Sequence, residues 1–528
     1  MTKGKQGTNS EQFALSRRDV LVGASALGLA AGGLGSLSLP ARAAEPKKGG
    51  TLRYGCAHGS TTDNLDPATY ENDFTIGMSF AFMNFLTEIG TDGSLQPELA
   101  ESWEASADAA TWTFKLKKGI QFHNGKEMTA EDVIASFNHH RGEDSNSAAK
   151  PIVAPITDIT ADGNDTVIFT LSGGNADFPF IVSDYHLGIM PSEGGKIDPS
   201  KGIGTGPYVI KEFDPGVRAL LSKNPNYFKS DRGHFNELLI LSIIDPAART
   251  NAMITGEVDV ISRPDLKTVH MLKRRPGIKL EQASGTLHYT FPMHVDVAPF
   301  NDPNVRLALK YALDREQLVE KILRGYGVVG NDHPIGKSNR FYAADLEQRS
   351  FDPDKAKFHL KEAGMSSLNV DLHLADAAFQ GAVDAGLLYS EDAAKAGITL
   401  NVVREPNDGY WSNVWLVKDF CGCYWGGRPT EDWMFSTAYA KGAPWNDTHW
   451  ANERFNKLLV EARAELDQDL RRDMYHEMQA LCRDDGGTIV PMFSNYVMAM
   501  SDKVEFDGMA ANWDMDGQKF SERWWFAS

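Results

Sequence analysis

Cysteine is scarce in this chain of 528 residues: Cys56, Cys421, Cys423 and Cys482 are all it has. No CxxC, HExxH or His-rich cluster accompanies them, so no metal site is expected. CxxCH haem attachment, iron–sulfur spacing and a dinucleotide fingerprint are also missing, which leaves no support for a bound cofactor. A G-x-S-x-G nucleophile motif is absent, and with it the commonest signature of a hydrolase. Beyond the first forty residues no apolar run is long enough to span a bilayer. No internal repeat is detectable, which removes solenoids and propellers. Excess positive charge is lacking too: the formal net charge is −18. An acidic surface disfavours nucleic acid and anionic lipid as partners, although it is equally what keeps a soluble protein apart from its neighbours.

What is present begins with the leader. Arg17 and Arg18 stand before a Gly/Ala/Leu-rich stretch without charge from Val20 to Leu39, and Ala41-Arg42-Ala43 follows as a small-residue cleavage site. That is the layout of an export signal over residues 1–43, and the adjacent arginines resemble the twin-arginine (Tat) type. Val20 and Val22 replace the Phe and Lys usual in that pattern. A signal anchor is the alternative, weakened by glycines at 23, 28, 32, 33 and 35. No Cys sits at the cleavage site for a lipid anchor, so the expectation is a free periplasmic protein exported by the Tat translocase. The leader carries five basic and two acidic residues, so the chain beyond it is near −21. About 485 residues remain, too many for one core and enough for two or three lobes. An oxidising compartment permits disulfides. Cys421 and Cys423 are too close along one strand to bridge, and either could pair with Cys482 or Cys56.

Strands and helices alternate along that remainder. Gly50 to Cys56 reads as a strand. Thr111 to Lys117 alternates, with Trp112, Phe114 and Leu116 on one face. Thr129, three residues before Asp132, is a capping-box start for a helix carrying Val133, Ile134 and Phe137, and His139-His140 reads as its solvated end. Val167 to Leu171 is another strand. Gly204-Thr205-Gly206-Pro207-Tyr208 has no following helix to make it a phosphate loop, so it reads as a tight connection. Leu238 to Ile244 is a buried strand, and Asp245-Pro246 starts a helix ending near Gly256. Val305 to Leu323 is one amphipathic helix by periodicity, and Glu453 to Leu481 a second long one. Val370 to Leu374, a helix to Ala396 and Ile398 to Val403 complete an α/β pattern.

Several segments resemble the solute-binding proteins of peptide-type ABC importers, the extracellular family 5 with oligopeptide-, dipeptide- and nickel-binding members. The matching pieces are Phe122-His123-Asn124-Gly125-Lys126-Glu127-Met128-Thr129-Ala130-Glu131-Asp132-Val133, Gly204 to Tyr208, Asn224-Pro225-Asn226-Tyr227, Val305 to Leu309 with Ala312 to Arg315, and Phe351-Asp352-Pro353-Asp354-Lys355-Ala356. Together and in the family's order they are specific. The resemblance implies a two-lobed α/β periplasmic binding protein fold of type II, with an extra domain inserted in the N-terminal lobe. Lobe I would combine 44–88, 199–282 and 494–528, the inserted domain 89–198, and lobe III 283–493. It implies capture of a small polar solute by lobe closure and delivery to the permease subunits of an importer, by a monomer without catalytic residues.

Residues 411 to 450 hold six of the eleven tryptophans. Indoles suit a cleft that must desolvate a solute, although most should pack the interior. Trp411, Tyr424, Trp425 and Trp445 are the candidates. In peptide-binding relatives the corresponding Trp-containing strand end carries an aspartate for the peptide's amino group. Here Arg428 stands at or beside it, which favours a carboxylate-bearing solute (peptide, opine-like or amino-acid-derived). Asp432 is either an amine contact or an ion-pair partner of Arg428. Asn446, on the loop after the tryptophans, and His58, which faces the cleft in the geometry of relatives, complete the candidate set. A ligand-binding sensor or chaperone on the same fold, and a Tat-exported enzyme, are the competing functions.

Overall fold

The computed structural model describes residues 46–527, so the export signal expected over residues 1–43 lies outside the described residues. Strand Thr51–Cys56 sits at the centre of a seven-stranded sheet. It pairs in parallel with Glu237–Ser242 on one side and Val260–Ser262 on the other. Strands Tyr208–Asp214 and Arg218–Lys223 extend one edge, Tyr496–Ser501 and Ile278–Ala283 the other. A parallel strand covered on both faces needs apolar residues throughout, and Leu238 and Ile240 are fully buried beside Leu52 and Tyr54. The following helix, Pro246–Thr255, starts where Asp245 Oδ1 accepts the Ala248 N–H at 2.7 Å. It stops at Gly256, whose φ of +74° suits a residue without a side chain.

A four-stranded antiparallel sheet is inserted between the first and later strands of that layer, in the order Ala100–Ala105, Thr111–Leu116, Thr166–Leu171, Ile156–Ala161. Trp112, Phe114 and Leu116 do face one core, against Phe169 and the helix Ala130–His139. Asp132 Oδ2 accepts the Thr129 backbone N–H at 2.9 Å and its hydroxyl at 3.2 Å, which fixes the helix start. The end of that helix is not solvated as expected. His139 Nε2 lies 2.7 Å from Asp66, and His140 is buried against the Ser147 hydroxyl, also at 2.7 Å.

The second lobe is built on strands Gly327–Val329, Thr488–Ser494, His288–Pro292 and Cys423–Trp425, with a parallel pair Leu368–Leu374 and Ile398–Arg404 beside them. Two long helices expected from periodicity are each broken in two. Pro303–Tyr311 and Arg315–Lys321 are separated because Asp314 Oδ1 accepts the Gln317 N–H at 3.0 Å and starts a new helix. Glu453–Ala464 and Gln468–Asp484 are separated because Asp467 caps the second through the Asp469 and Leu470 N–H groups. The apolar stripe continues across each break, so periodicity alone misses it. No disulfide forms: all four cysteines are buried and free, each in its own lobe's packing.

The lobes are joined where Ile278–Ala283 runs on into His288–Pro292, and where Thr488–Ser494 runs on into Tyr496–Ser501. These crossings lie against each other, the Ser494 N–H donating to Leu287 O at 2.8 Å. A Cβ on Gly285 would stand 2.8 Å from Ser494 O, so only glycine allows that approach.

Candidate functional site

Beside the two crossings lies a chamber of about 530 Å³ with walls from both lobes. The second lobe contributes Tyr289, Phe379, Tyr424 and the Gly426-Gly427 loop; Arg263, Trp513 and Asp514 come from the first, and Tyr496 from a crossing. Tyr289 and Phe379 stack at 4.3 Å, a flat apolar wall of the kind that desolvates a small molecule. The same Arg263, Trp513 and Asp514 also line an adjoining recess of about 470 Å³, together with His58, Glu71, Asp73, Tyr185 and Gln518. Chamber and recess are thus one cleft with a shared middle.

Charge in that middle is organised around Arg263. Its Nε donates to Asp514 Oδ2 at 3.3 Å, and Nη2 lies 3.2 Å from Asp73 Oδ1. The residue holds φ at +48°, a left-handed conformation costly for arginine, so the surrounding contacts impose it. Burial, followed by repulsion from Asp73, pushes Asp514 up to about 6. Burial would raise Asp73 as well, but the His58 ring and the Arg263 guanidinium outweigh it and hold that carboxyl below its usual range. His58 itself is half-exposed, with Nδ1 3.2 Å from Asp73 Oδ2.

The residues expected from the sequence fall into three groups. Tyr424 lines the chamber and His58 the recess. Arg428 follows the Gly-Gly wall, and its Nη1 donates to the carbonyls of Gly426 at 3.0 Å and Gly427 at 3.3 Å. No carboxylate lies within ion-pair reach of it among the described residues, and burial lowers its pKa. The alternative pairing of Arg428 with Asp432 is therefore not formed. Asp432 is held instead by Arg463, whose Nε donates to its two oxygens at 3.0 and 3.1 Å. It turns away from the cleft toward a separate cavity of about 480 Å³, shared with the inserted domain. Burial pushes its carboxyl up to about 6.

The indoles form a chain rather than a lining. Trp411 is edge-on to Tyr424 and to Trp415, both at 5.6 Å, and Trp415, Trp425 and Trp445 follow with centroids 6.1–6.3 Å apart. Trp425 is buried, whereas Trp411 and Trp445 keep an exposed face outside the chamber wall. Asn446 is spent on its own loop: its amide donates to Ala440 O and Trp450 O, and its oxygen accepts the Thr448 hydroxyl. An amide saturated in this way has nothing left to offer a ligand.

Sequence reasoning missed Arg263, Asp73, Trp513, Asp514 and Tyr496. Only Trp513-Asp514, an indole beside an acid near the C-terminus, left any trace in the sequence. One acidic trio among the described residues, Glu88, Glu98 and Glu522, is close enough to share an ion. The ammonium groups of Lys229 and Lys519 occupy it, Lys229 at 2.8 Å from Glu98 and 2.7 Å from Glu522.

Residues 94–447 match the model of the bacterial extracellular solute-binding proteins, family 5 Middle. The chain is 26% identical over 467 residues to di/tripeptide-binding protein 1 of Pseudomonas aeruginosa, covering 81% of this chain and 86% of that protein. HbpA2 from Haemophilus parasuis superposes with a TM-score of 0.79 at 22% identity, over 89% of this chain and 99% of that one. AgaA from A. tumefaciens R10, solved with agropinic acid, gives 0.70 at 23% identity, over 91% and 99%. These relatives are solute-binding proteins and not enzymes. A two-lobed α/β fold, a chamber between the lobes and the family match together make this chain a member of the bacterial extracellular solute-binding proteins of family 5, the substrate-binding component of a peptide-type ABC importer.

Proposed function

We propose that the chain captures a small polar solute bearing a carboxylate and presents it to the permease of its importer. The observation that carries this is Arg428, a half-buried guanidinium next to the chamber's Gly426-Gly427 wall, whose polar partners are the carbonyls of that loop. A partly desolvated cation without a counter-ion is a ready partner for an acid, and an acid group arriving beside the Gly426-Gly427 wall would gain charge-assisted hydrogen bonds from it. The aromatic walls of Tyr289, Phe379 and Tyr424 supply the desolvation. Agropinic acid, bound by AgaA, is a solute of this chemical kind on the same fold. In this reading 44–88, 199–282 and 494–528 move as one body, the inserted domain 89–198 rides on it, and 283–493 closes over the ligand. The protein works as a periplasmic monomer, delivered by the twin-arginine route.

The test is a thermal-shift screen of peptides, opine-like conjugates and amino acids, followed by calorimetry of Arg428→Ala and Arg428→Lys. Truncating one partner of a buried charged pair should weaken binding by roughly 2–5 kcal/mol, and lysine should recover only part of that. Wild-type affinity unchanged by blocking the ligand's acid group overturns the assignment.

A further inference from the structure

The four cysteines, none of which lines the cleft, share one condition. Cys56 is 0% exposed, Cys421 2%, Cys423 1% and Cys482 1%, and all four are free thiols. Cys56 ends the central strand of the seven-stranded sheet, and its Sγ donates to His58 O at 3.1 Å. Cys421 packs in the larger core of the second lobe with Phe291, Met293 and Phe420. Cys423 pairs with Thr290 across its strand and packs into a separate core with Trp425 and Phe435. Cys482 enters that separate core from the helix Gln468–Asp484. Cys421 and Cys423 flank Gly422, yet they serve different cores. A disulfide between them needs Cβ atoms within about 4.5 Å, which would pull one side chain out of its packing. The segment has no room to shift, since a Cβ on Gly422 would stand 2.5 Å from Leu374 Cδ2.

We infer that folding must be complete before this chain meets a disulfide-forming oxidant, and that the fold itself then keeps the four thiols reduced. A thiol reacts as its thiolate, and only where an oxidant can reach it. In the folded protein burial pushes all four thiols up and excludes the oxidant. The unfolded chain has neither protection. There two thiols join by passing two protons and two electrons to the disulfide of an oxidising protein or of oxidised glutathione, which leaves as two thiols. The native fold contains no disulfide, so every such bond is a non-native crosslink that obstructs folding. The inference rests on the delivery to an oxidising compartment by the twin-arginine route proposed above. It also gives that route a physical reason, because a translocase that carries folded proteins delivers the thiols already sealed.

The experiment uses the mature protein, with glutathione as the probe. Held folded in oxidised glutathione, then denatured in acid and titrated with a chromogenic thiol reagent, it should still show all four thiols. Unfolded in urea and diluted into the same buffer, it should regain native tryptophan emission at least about fivefold less than in dithiothreitol. Dithiothreitol added afterwards should release the trapped fraction, a reading that needs no variant. Cys56→Ala, Cys421→Ala, Cys423→Ala and Cys482→Ala combined should refold equally in both buffers. In cells, replacing residues 1–43 by a leader that threads chains unfolded should cut the soluble periplasmic yield about tenfold, and the combined variant should recover it. Thiols lost from the folded protein, equal refolding of the wild type with and without oxidant, a trapped fraction that dithiothreitol does not release, or an undiminished yield through the threading leader would each overturn the inference. The refolding measurements do not involve the leader, so periplasmic delivery of Arg17→Lys with Arg18→Lys would overturn the route alone.

Discussion

Removing the Asp177 carboxylate should open the protein rather than unfold it. Asp177 belongs to the inserted domain, is 1% exposed, and is gripped by two arginines of the second lobe. Its Oδ1 accepts from Arg340 Nη2 at 2.7 Å, and its Oδ2 lies 2.8 Å from Arg471 Nη2. Burial would raise its pKa, but Arg471 and Arg340 outweigh that and hold the carboxyl low. Breaking a buried pair by deleting one partner costs about 3–5 kcal/mol. Arg340 remains partly exposed and can turn to water, whereas Arg471 is fully buried and stays stranded, so Asp177→Ala should cost near 3 kcal/mol. Because the pair joins two bodies, separating them hydrates Arg471 and recovers most of that cost. The penalty therefore falls on the closed form, and ligand affinity should drop on the order of 100-fold, the equivalent of ~3 kcal/mol. Calorimetry would read the affinity, and small-angle scattering would show a larger radius of gyration at subsaturating ligand. Asp177→Leu combined with Arg471→Met replaces the pair by apolar volume and should restore much of the closure. An unchanged dissociation constant together with a large fall in Tm would refute the reasoning and make the pair a plain stability element.

Asp447 is buried beside the indole chain, accepts from Trp415 Nε1 at 3.1 Å, and is pushed up by burial to about 6. A raised acid pKa gives stability that is fully present below the unfolded value and lost as pH rises through about 6. Asp447→Asn should therefore flatten the stability curve between pH 4 and 7 and gain about 1–2 kcal/mol at pH 7.5, measured by urea melts. Lys310 donates to Arg483 O at 2.9 Å and Gly486 O at 2.7 Å at the end of the helix Gln468–Asp484; Lys310→Met should lower stability by about 2–4 kcal/mol through orphaned carbonyls, seen as a lower urea midpoint. A Cβ on Gly427 would fall 1.4 Å from Thr286 Oγ1, so Gly427→Ala should displace the Arg428 loop and weaken ligand binding more than it lowers Tm, by paired calorimetry and melts. Arg17→Lys with Arg18→Lys should leave precursor in the cytoplasm, scored by fractionation, because the Tat route reads guanidinium pairs and not charge alone.

What the sequence determined by itself is local. Alternation at Trp112, Phe114 and Leu116 specifies a half-buried strand, and Asp245-Pro246 with Gly256 brackets a helix, because side-chain period and capping act over a few residues. The order of short motifs was enough for the family. Periodicity failed at Asp314 and Asp467, where a capping carboxylate outcompetes a continuous apolar stripe. At the cleft only the tertiary structure decided. Arg428 and Asp432 are four residues apart and look like partners, yet Asp432 reaches Arg463 across a helix pair while Arg428 keeps to its own loop. Arg263, Asp73 and Asp514 come from distant parts of the chain, the last pair separated from Arg263 by up to 251 positions. Charge pairing and solvent exclusion act through space, and the seven-stranded sheet brings those three side chains together by inserting a strand from the far end of the chain, Tyr496–Ser501, beside Val260–Ser262.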